Sequence, residues 1–263
     1  LVNLVKSREK EPPNQHPPNP MATTTTTTTT PPAKPLRICV FGSSRATTKE
    51  SYKTAAEQFG RLLSQAGHIN INGAGRFGCM GACNKGSLSV EGAVVEGVIH
   101  KMWMPEGDKD ELQTGMTTLH VADGPTLTQR KEMLCAGSDG FVVLPGGPGT
   151  FDELWEVISE FQLGLPKGKC PRPVCLVNVE GYYDPTVMQL QRCFDDGMLY
   201  KEVTDVVHCE PTAEKALAYI VAAIGDHRTR FAAAADSKTV ADDVVLSHIS
   251  DELRKSTAQS STL

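Results

Sequence analysis

From residue 36 to residue 224 the chain alternates short β-branched runs with amphipathic stretches. That alternation allows few folds. Strand-like runs fall at 36–41, 68–72, 93–99, 118–121, 140–144, 173–177 and 203–207. Helical spacing falls between them, at 49–66, 79–90, 125–137, 150–163, 184–197 and 211–224. In the first helical stretch Tyr52, Ala55, Ala56, Phe59, Leu62 and Leu63 share one face, and Gly67 stands where a C-terminal cap belongs. The run Gly140-Phe141-Val142-Val143-Leu144 is apolar throughout, as in strands covered on both faces of a parallel sheet. The pattern predicts an α/β domain over 36–225. Its mostly parallel sheet has six or seven strands, doubly wound and Rossmann-like, with helices on both faces.

The two ends read differently. Residues 1–35 carry prolines, eight threonines at 23–30 and almost no large apolar side chains, so they cannot offset the entropy of ordering. Met21 is a candidate start, and 1–20 read as leader. The hydroxylated beginning shares one trait with transit peptides, but it has little arginine and no amphipathic pattern. Residues 226–263 read as a flexible tail with room for one short helix. No apolar run reaches the length of a membrane helix, and no signal-type apolar stretch stands near the start. The net charge of −5 argues against a nucleic-acid partner, so a phosphate would have to be held by backbone amides and an arginine or two. Of eight cysteines, Cys39, Cys135, Cys175 and Cys193 lie in apolar segments, Cys79 and Cys83 are four apart, and Cys170 and Cys175 flank a turn. The paired spacing of a zinc site is missing. The set reads as reduced thiols of a cytosolic protein, with no metal.

Ligands of such sheets bind beyond the carboxyl ends of the strands, so the loops there carry the chemistry. The most informative is Pro145-Gly146-Gly147-Pro148-Gly149-Thr150-Phe151-Asp152-Glu153. Three glycines after a buried strand let a ligand approach the backbone, and the helix start offers free N–H groups to an anion. Thr150 can cap that helix or meet a phosphate. Glu153 either closes a capping box with Thr150 or serves catalysis. A second loop, Gly73-Ala74-Gly75, follows the second strand. Its position and the lack of a ribose-binding acid do not fit the dinucleotide fingerprint. Ser43, after the first strand, is more simply a helix cap than a phosphate ligand. Arg130 and Lys131 are neighbours that cannot share a helix face. Either they are a surface charge pair, or one turns toward the site.

Taken together these segments resemble the Lonely guy family, sometimes labelled lysine decarboxylases. The nine-residue stretch 145–153 fits Pro-Gly-Gly-x-Gly-Thr-x-x-Glu, with Arg130-Lys131 at the family's distance upstream. Val40-Phe41-Gly42-Ser43-Ser44, Gly78-Cys79-Met80-Gly81 and Leu176-Val177-Asn178-Val179-Glu180-Gly181-Tyr182-Tyr183 follow the family order. The resemblance spans about 36–224. It implies hydrolysis of a cytokinin riboside 5′-monophosphate to free base and ribose 5-phosphate, without metal or redox cofactor, in a homodimer or larger assembly. It also implies Arg130 and Glu153 as the catalytic pair and Gly146, Gly147, Gly149 and Thr150 as the phosphate loop. Lys131 is the implied substrate contact, and Glu106 an acid of the loop after the third strand. Gly73, Gly75 and Ser43 complete the expected pocket. The chain departs from the family at Pro148, at Ala74, in the loop 104–116 and in the insertion 167–172. These departures bear on the preferred base more than on the reaction. Two rivals stand beside this reading: a general AMP or purine nucleotide nucleosidase, and a non-catalytic carrier of a nucleotide or molybdenum cofactor on the same fold. The carrier reading sits poorly with an Arg and Glu pair, and neither glycine loop offers a lysine for pyridoxal phosphate.

Overall fold

The computed structural model describes residues 34–104, 112–165 and 171–236. Seven strands form one sheet: β1 (Arg37–Phe41), β2 (Ile69–Asn72), β3 (Val95–His100), β4 (Thr118–Ala122), β5 (Gly140–Val143), β6 (Val174–Val177) and β7 (His208–Glu210). All pairings are parallel, in the order β4-β3-β2-β1-β5-β6-β7. The helices are α1 (Glu50–Gln65), α2 (Gly78–Leu88), α3 (Thr128–Cys135), α4 (Pro148–Gln162), α5 (Asp184–Asp195), α6 (Val203–Val206) and α7 (Ala213–Asp236). The doubly wound parallel α/β architecture that the alternating pattern predicts is the one observed.

Alternation along each strand feeds two cores. In β1, Cys39 and Phe41 join Phe141, Val143, Leu154 and Leu176 on one face, while Ile38 and Val40 join Phe59, Leu63, Val142 and Ile220 on the other. This is why β5 and β6 are apolar at every position. The end of α1 follows its sequence signal. Gly67 takes φ +75°, and the N–H groups of Gly67 and His68 return to the carbonyls of Ser64 and Leu63 at 2.9 and 3.1 Å, a Schellman closure.

Two expectations need correction. The run 203–207 is not a strand: Val203–Val206 is one helical turn, and the last strand is His208–Glu210. The valines misled because they are β-branched. Val203 and Val206 bury one side of the turn, a spacing of three that suits a helix, and the sheet register begins only where Cys175 meets His208. The final helix also does not stop at 224 but runs on to Asp236. Tertiary contacts carry it past the apolar pattern: the His227 ring meets the Pro171 carbonyl, and Arg228 pairs with Asp139.

Candidate active site

Strand order reverses between β1 and β5, because the chain winds from β1 toward β4 on one side and from β5 toward β7 on the other. At such a point the loops leaving adjacent strands part and open a crevice. The loops after β1 and β5 flank it, and those after β2 and β3 extend it.

The loop after β5 is held from behind. The Leu144 carbonyl accepts the Tyr183 hydroxyl (2.7 Å), the Pro145 carbonyl accepts the Ser43 N–H (3.1 Å), and the Gly146 carbonyl accepts the Tyr182 hydroxyl. The loop's glycines then divide by physical need. A Cβ on Gly146 would lie 2.1 Å from Thr150 Oγ1, so that glycine is dictated by packing. Gly147 and Gly149 are exposed, and a Cβ on either would meet nothing within 4 Å. Gly147 also has an ordinary φ of −93°. Neither is required by the protein itself, so both leave room for something else to approach the backbone. The helix begins at Pro148, whose fixed φ and missing N–H suit the first helical position. Thr150 therefore lies inside the first turn and does not cap it. No capping box forms: Gly147 is the cap, and Glu153 lies one turn further on, facing inward. The first-turn N–H groups at Gly149 and Thr150 have no carbonyl to meet within the helix.

The loop after β2 has a different job. The N–H groups of Cys79 and Met80, at the start of α2, are both taken by Ser43, through its hydroxyl and its carbonyl, each at 3.0 Å. Ser43 is thus a cap, as the simpler reading had it, but for a helix from another part of the chain. The α2 N-terminus is closed to an anion, whereas that of α4 is open. Gly73 serves the site indirectly, since a Cβ there would lie 2.2 Å from a terminal guanidinium nitrogen of Arg130. The Gly75 N–H faces the Met80 sulfur at 3.0 Å. Between them Ala74 takes φ +66°, with its N–H held by the Asn72 side chain at 2.9 Å.

Arg130 and Glu153 meet in the crevice. Arg130 leaves α3, is 7% exposed, donates Nε–H to the Val98 carbonyl (3.1 Å) and reaches Glu153 Oε1 through Nη1 (3.2 Å). The Trp103 ring lies 5.2 Å from its guanidinium carbon, and His100 stands edge-on to that ring. Burial pushes the Glu153 carboxyl up to about 7, with the Arg130 charge and hydrogen bond opposing the rise. A buried carboxyl poised near neutral pH beside a fixed cation suits proton transfer. Of the adjacent bases, then, Arg130 turns inward. Lys131 points along α4 and bridges Asp152 (3.2 Å) and Glu156 (2.8 Å), which raises its pKa.

Glu106 lies outside the described residues. Two features were not assigned from the sequence. Tyr182 and Tyr183 were visible as a paired segment, and their place just beyond a buried strand is the signal that could have marked them. Trp103 sits in the 3-10 turn Lys101–Trp103 directly after β3, 40% exposed, with no pattern to flag it. Two clefts of about 280 and 730 Å³ open elsewhere, around Asp139 and Arg172 and around Pro173 and Tyr219, near the amino ends of the strands. The buried ion pair and the exposed glycines at the strand carboxyl ends make the stronger chemical case.

The glycine division has a direct test. Gly147→Ala should keep its melting temperature within a degree or two yet weaken binding of ribose 5-phosphate. Gly146→Ala should unfold several degrees earlier, because the added methyl drives into Thr150. Equal melting temperatures would contradict this division.

Residues 80–220 match a family model described as "possible lysine decarboxylase". The Arabidopsis thaliana protein named cytokinin riboside 5′-monophosphate phosphoribohydrolase LOG1 is 36% identical over 179 residues, 68% of this chain and 79% of that protein. The Oryza sativa protein of the same name, LOG, is 34% identical over 179 residues, 68% of this chain and 70% of that protein. Two solved structures share the fold at low identity. The molybdenum cofactor carrier protein of Chlamydomonas reinhardtii has TM-score 0.53 and 21% identity, covering 73% of this chain and 98% of that one. The molybdenum cofactor binding protein of Rippkaea orientalis has TM-score 0.53 and 18% identity, with the same coverage. By sequence, the chain belongs to the Lonely guy family.

Proposed function

We propose that this protein is a phosphoribohydrolase that cleaves the N-glycosidic bond of cytokinin riboside 5′-monophosphates. The observation that carries this is the pairing of two features across one crevice: exposed glycines with open N–H groups at the start of α4, and the buried Arg130–Glu153 pair one helical turn away. The relatives named above carry this activity in their names.

The 5′-phosphate is held by the N–H groups at Gly147, Gly149 and Thr150 and by the helix dipole. That anchoring places the ribose against Glu153 and spends remote binding energy on orienting the bond to be cut. As the C1′–N9 bond breaks, positive charge grows on the sugar, and the Glu153 carboxylate opposes it. A water oxygen bonds to C1′ and gives one proton to Glu153; that proton then passes, directly or through solvent, to the departing purine nitrogen, which restores the carboxylate. Arg130 holds the carboxylate in place and opposes the rise that burial imposes, so the group titrates near neutral pH. The exposed face of Trp103 offers the purine a stacking wall beside the pair. Gly73 makes room for Arg130, Ser43 fixes the surrounding loops, and Lys131 sets α3 against α4. For these three we retain a supporting place in the substrate pocket.

Base release from isopentenyladenosine 5′-monophosphate, from its unphosphorylated riboside and from AMP tests the reading. The monophosphate should exceed the riboside by at least about two orders of magnitude in kcat/KM. Equal use of nucleotide and riboside would remove the phosphate loop from the account. Equal or better use of AMP would leave a general nucleotide nucleosidase. We further take the protein to act as a homodimer, which the exposed Trp155 of α4, Leu163 just after it and Met188 of α5 support. We place it in the cytosol, which the free, largely buried thiols among the described residues support. No helix among the described residues is long and apolar enough to cross a membrane.

A further inference from the structure

We infer that Tyr182 is a positioning residue for phosphate, aiming the Gly147 N–H into the crevice by holding the Gly146 carbonyl from behind. The inference rests on the proposed phosphate role of the α4 start.

The argument begins with the peptide bond. In a planar trans peptide the C=O of one residue and the N–H of the next point in opposite directions. The Tyr182 hydroxyl donates to the Gly146 carbonyl, so the Gly147 N–H must point directly away from Tyr182. Gly147 is exposed, and a Cβ there would meet nothing within 4 Å. With glycine on both sides, this peptide lacks the Cβ clashes that usually oppose a flip. Its orientation therefore depends on an outside partner, and the Tyr182 hydroxyl is that partner.

Tyr182 is itself fixed. Its ring packs edge-on against Tyr52 (5.3 Å) and Tyr183 (4.9 Å). The turn that delivers it is braced by unusual backbone: Glu180 has φ 54° and Gly181 φ 72°. Glu180 pairs with Lys49, and the Asn178 side chain accepts the Tyr183 N–H at 2.6 Å. A left-handed Glu180 costs energy that a mere connector would not need to spend. Here it places two hydroxyls against two carbonyls of one loop.

Tyr183 supplies an internal control. Its hydroxyl holds the Leu144 carbonyl at 2.7 Å, but the next residue is Pro145, which has no N–H to aim. Tyr183 is fully buried, so its hydroxyl serves the fold.

The two roles separate in a pair of variants. Binding of ribose 5-phosphate is measured by calorimetry for the wild type, Tyr182→Phe and Tyr183→Phe, with melting temperatures alongside. Tyr182→Phe should raise the ribose 5-phosphate Kd about five- to tenfold, the loss expected for one misaimed hydrogen bond. Its melting temperature should stay near wild type, because a partly exposed ring is kept. The same factor should appear in KM for the nucleotide rather than in kcat. Tyr183→Phe should do the reverse, melting several degrees earlier with Kd within about twofold of wild type. Unchanged ribose 5-phosphate affinity in Tyr182→Phe, beside a wild type that binds, would overturn the inference alone. A wild type that does not bind ribose 5-phosphate would overturn the phosphate loop, and the inference with it.

Discussion

Replacing Glu153 by Gln is expected to lower kcat on the nucleotide by roughly 10²- to 10⁴-fold, the range for loss of a positioned acid or base. The amide keeps the shape and still offers Arg130 an oxygen, so the fold and ribose 5-phosphate binding should persist. The pH dependence gives a second reading. Glu153 titrates near 7 in the folded protein, so wild-type activity should climb through an acidic limb with a midpoint near pH 7 as the carboxylate forms. Stability moves the other way. A carboxyl with a raised folded pKa binds its proton more tightly folded than unfolded. Its stabilising contribution is complete below the unfolded value of 4.5 and is lost as pH rises to about 7. Melting curves of the two proteins from pH 4.5 to 8 should therefore drift in favour of Glu153→Gln as pH rises. A variant with near wild-type turnover would show that another carboxylate does the chemistry. The absence of any drift would show that Glu153 is already ionised without cost.

Arg130→Ala should be the most damaging single change to the fold at the site. It leaves a buried carboxylate without its cation, and breaking such a pair costs roughly 3–5 kcal/mol. It also removes the link to the Val98 carbonyl and the packing against Trp103. With Arg130 gone, nothing as near opposes the burial of Glu153, so the carboxyl should rise above its wild-type value of about 7. The deficit against wild type should then be largest above pH 7 and shrink toward pH 5, where Glu153 is protonated in both proteins. Activity at neutral pH should fall with the lost carboxylate. Urea midpoints at pH 5 and pH 8 check this. A deficit independent of pH would mean that Arg130 contributes packing and hydrogen bonds but no charge compensation.

The folded core was largely legible in the sequence because its determinants are local. Apolar runs of four to six residues, separated by amphipathic stretches with glycine stops, admit little besides a doubly wound parallel sheet. The glycine-rich loop after β5 was legible for the same reason: its glycines, its proline and its helix follow one another along the chain. The run 203–207 was misread because β-branched composition and helical burial spacing conflict over so short a stretch, and burial of Val203 and Val206 in the core decided between them.

What the sequence could not settle were questions that depend on distant residues meeting. Glu153 was as plausible a cap as a catalyst until Arg130 was seen beside it, across 23 residues of chain. Arg130 and Lys131 were equivalent neighbours until the sheet gave one the Val98 carbonyl and the other an acidic helix face. The two glycine loops looked alike, and only Ser43, 36 residues before Cys79, shows that one helix start is already filled. The roles of Gly146, Gly147 and Gly149 likewise separate only when the neighbours of an absent Cβ are known. Secondary structure is written in short-range periodicity. A site is written in burial, in the satisfaction of polar groups and in the placing of charge against charge. These arise only when the chain has folded back on itself.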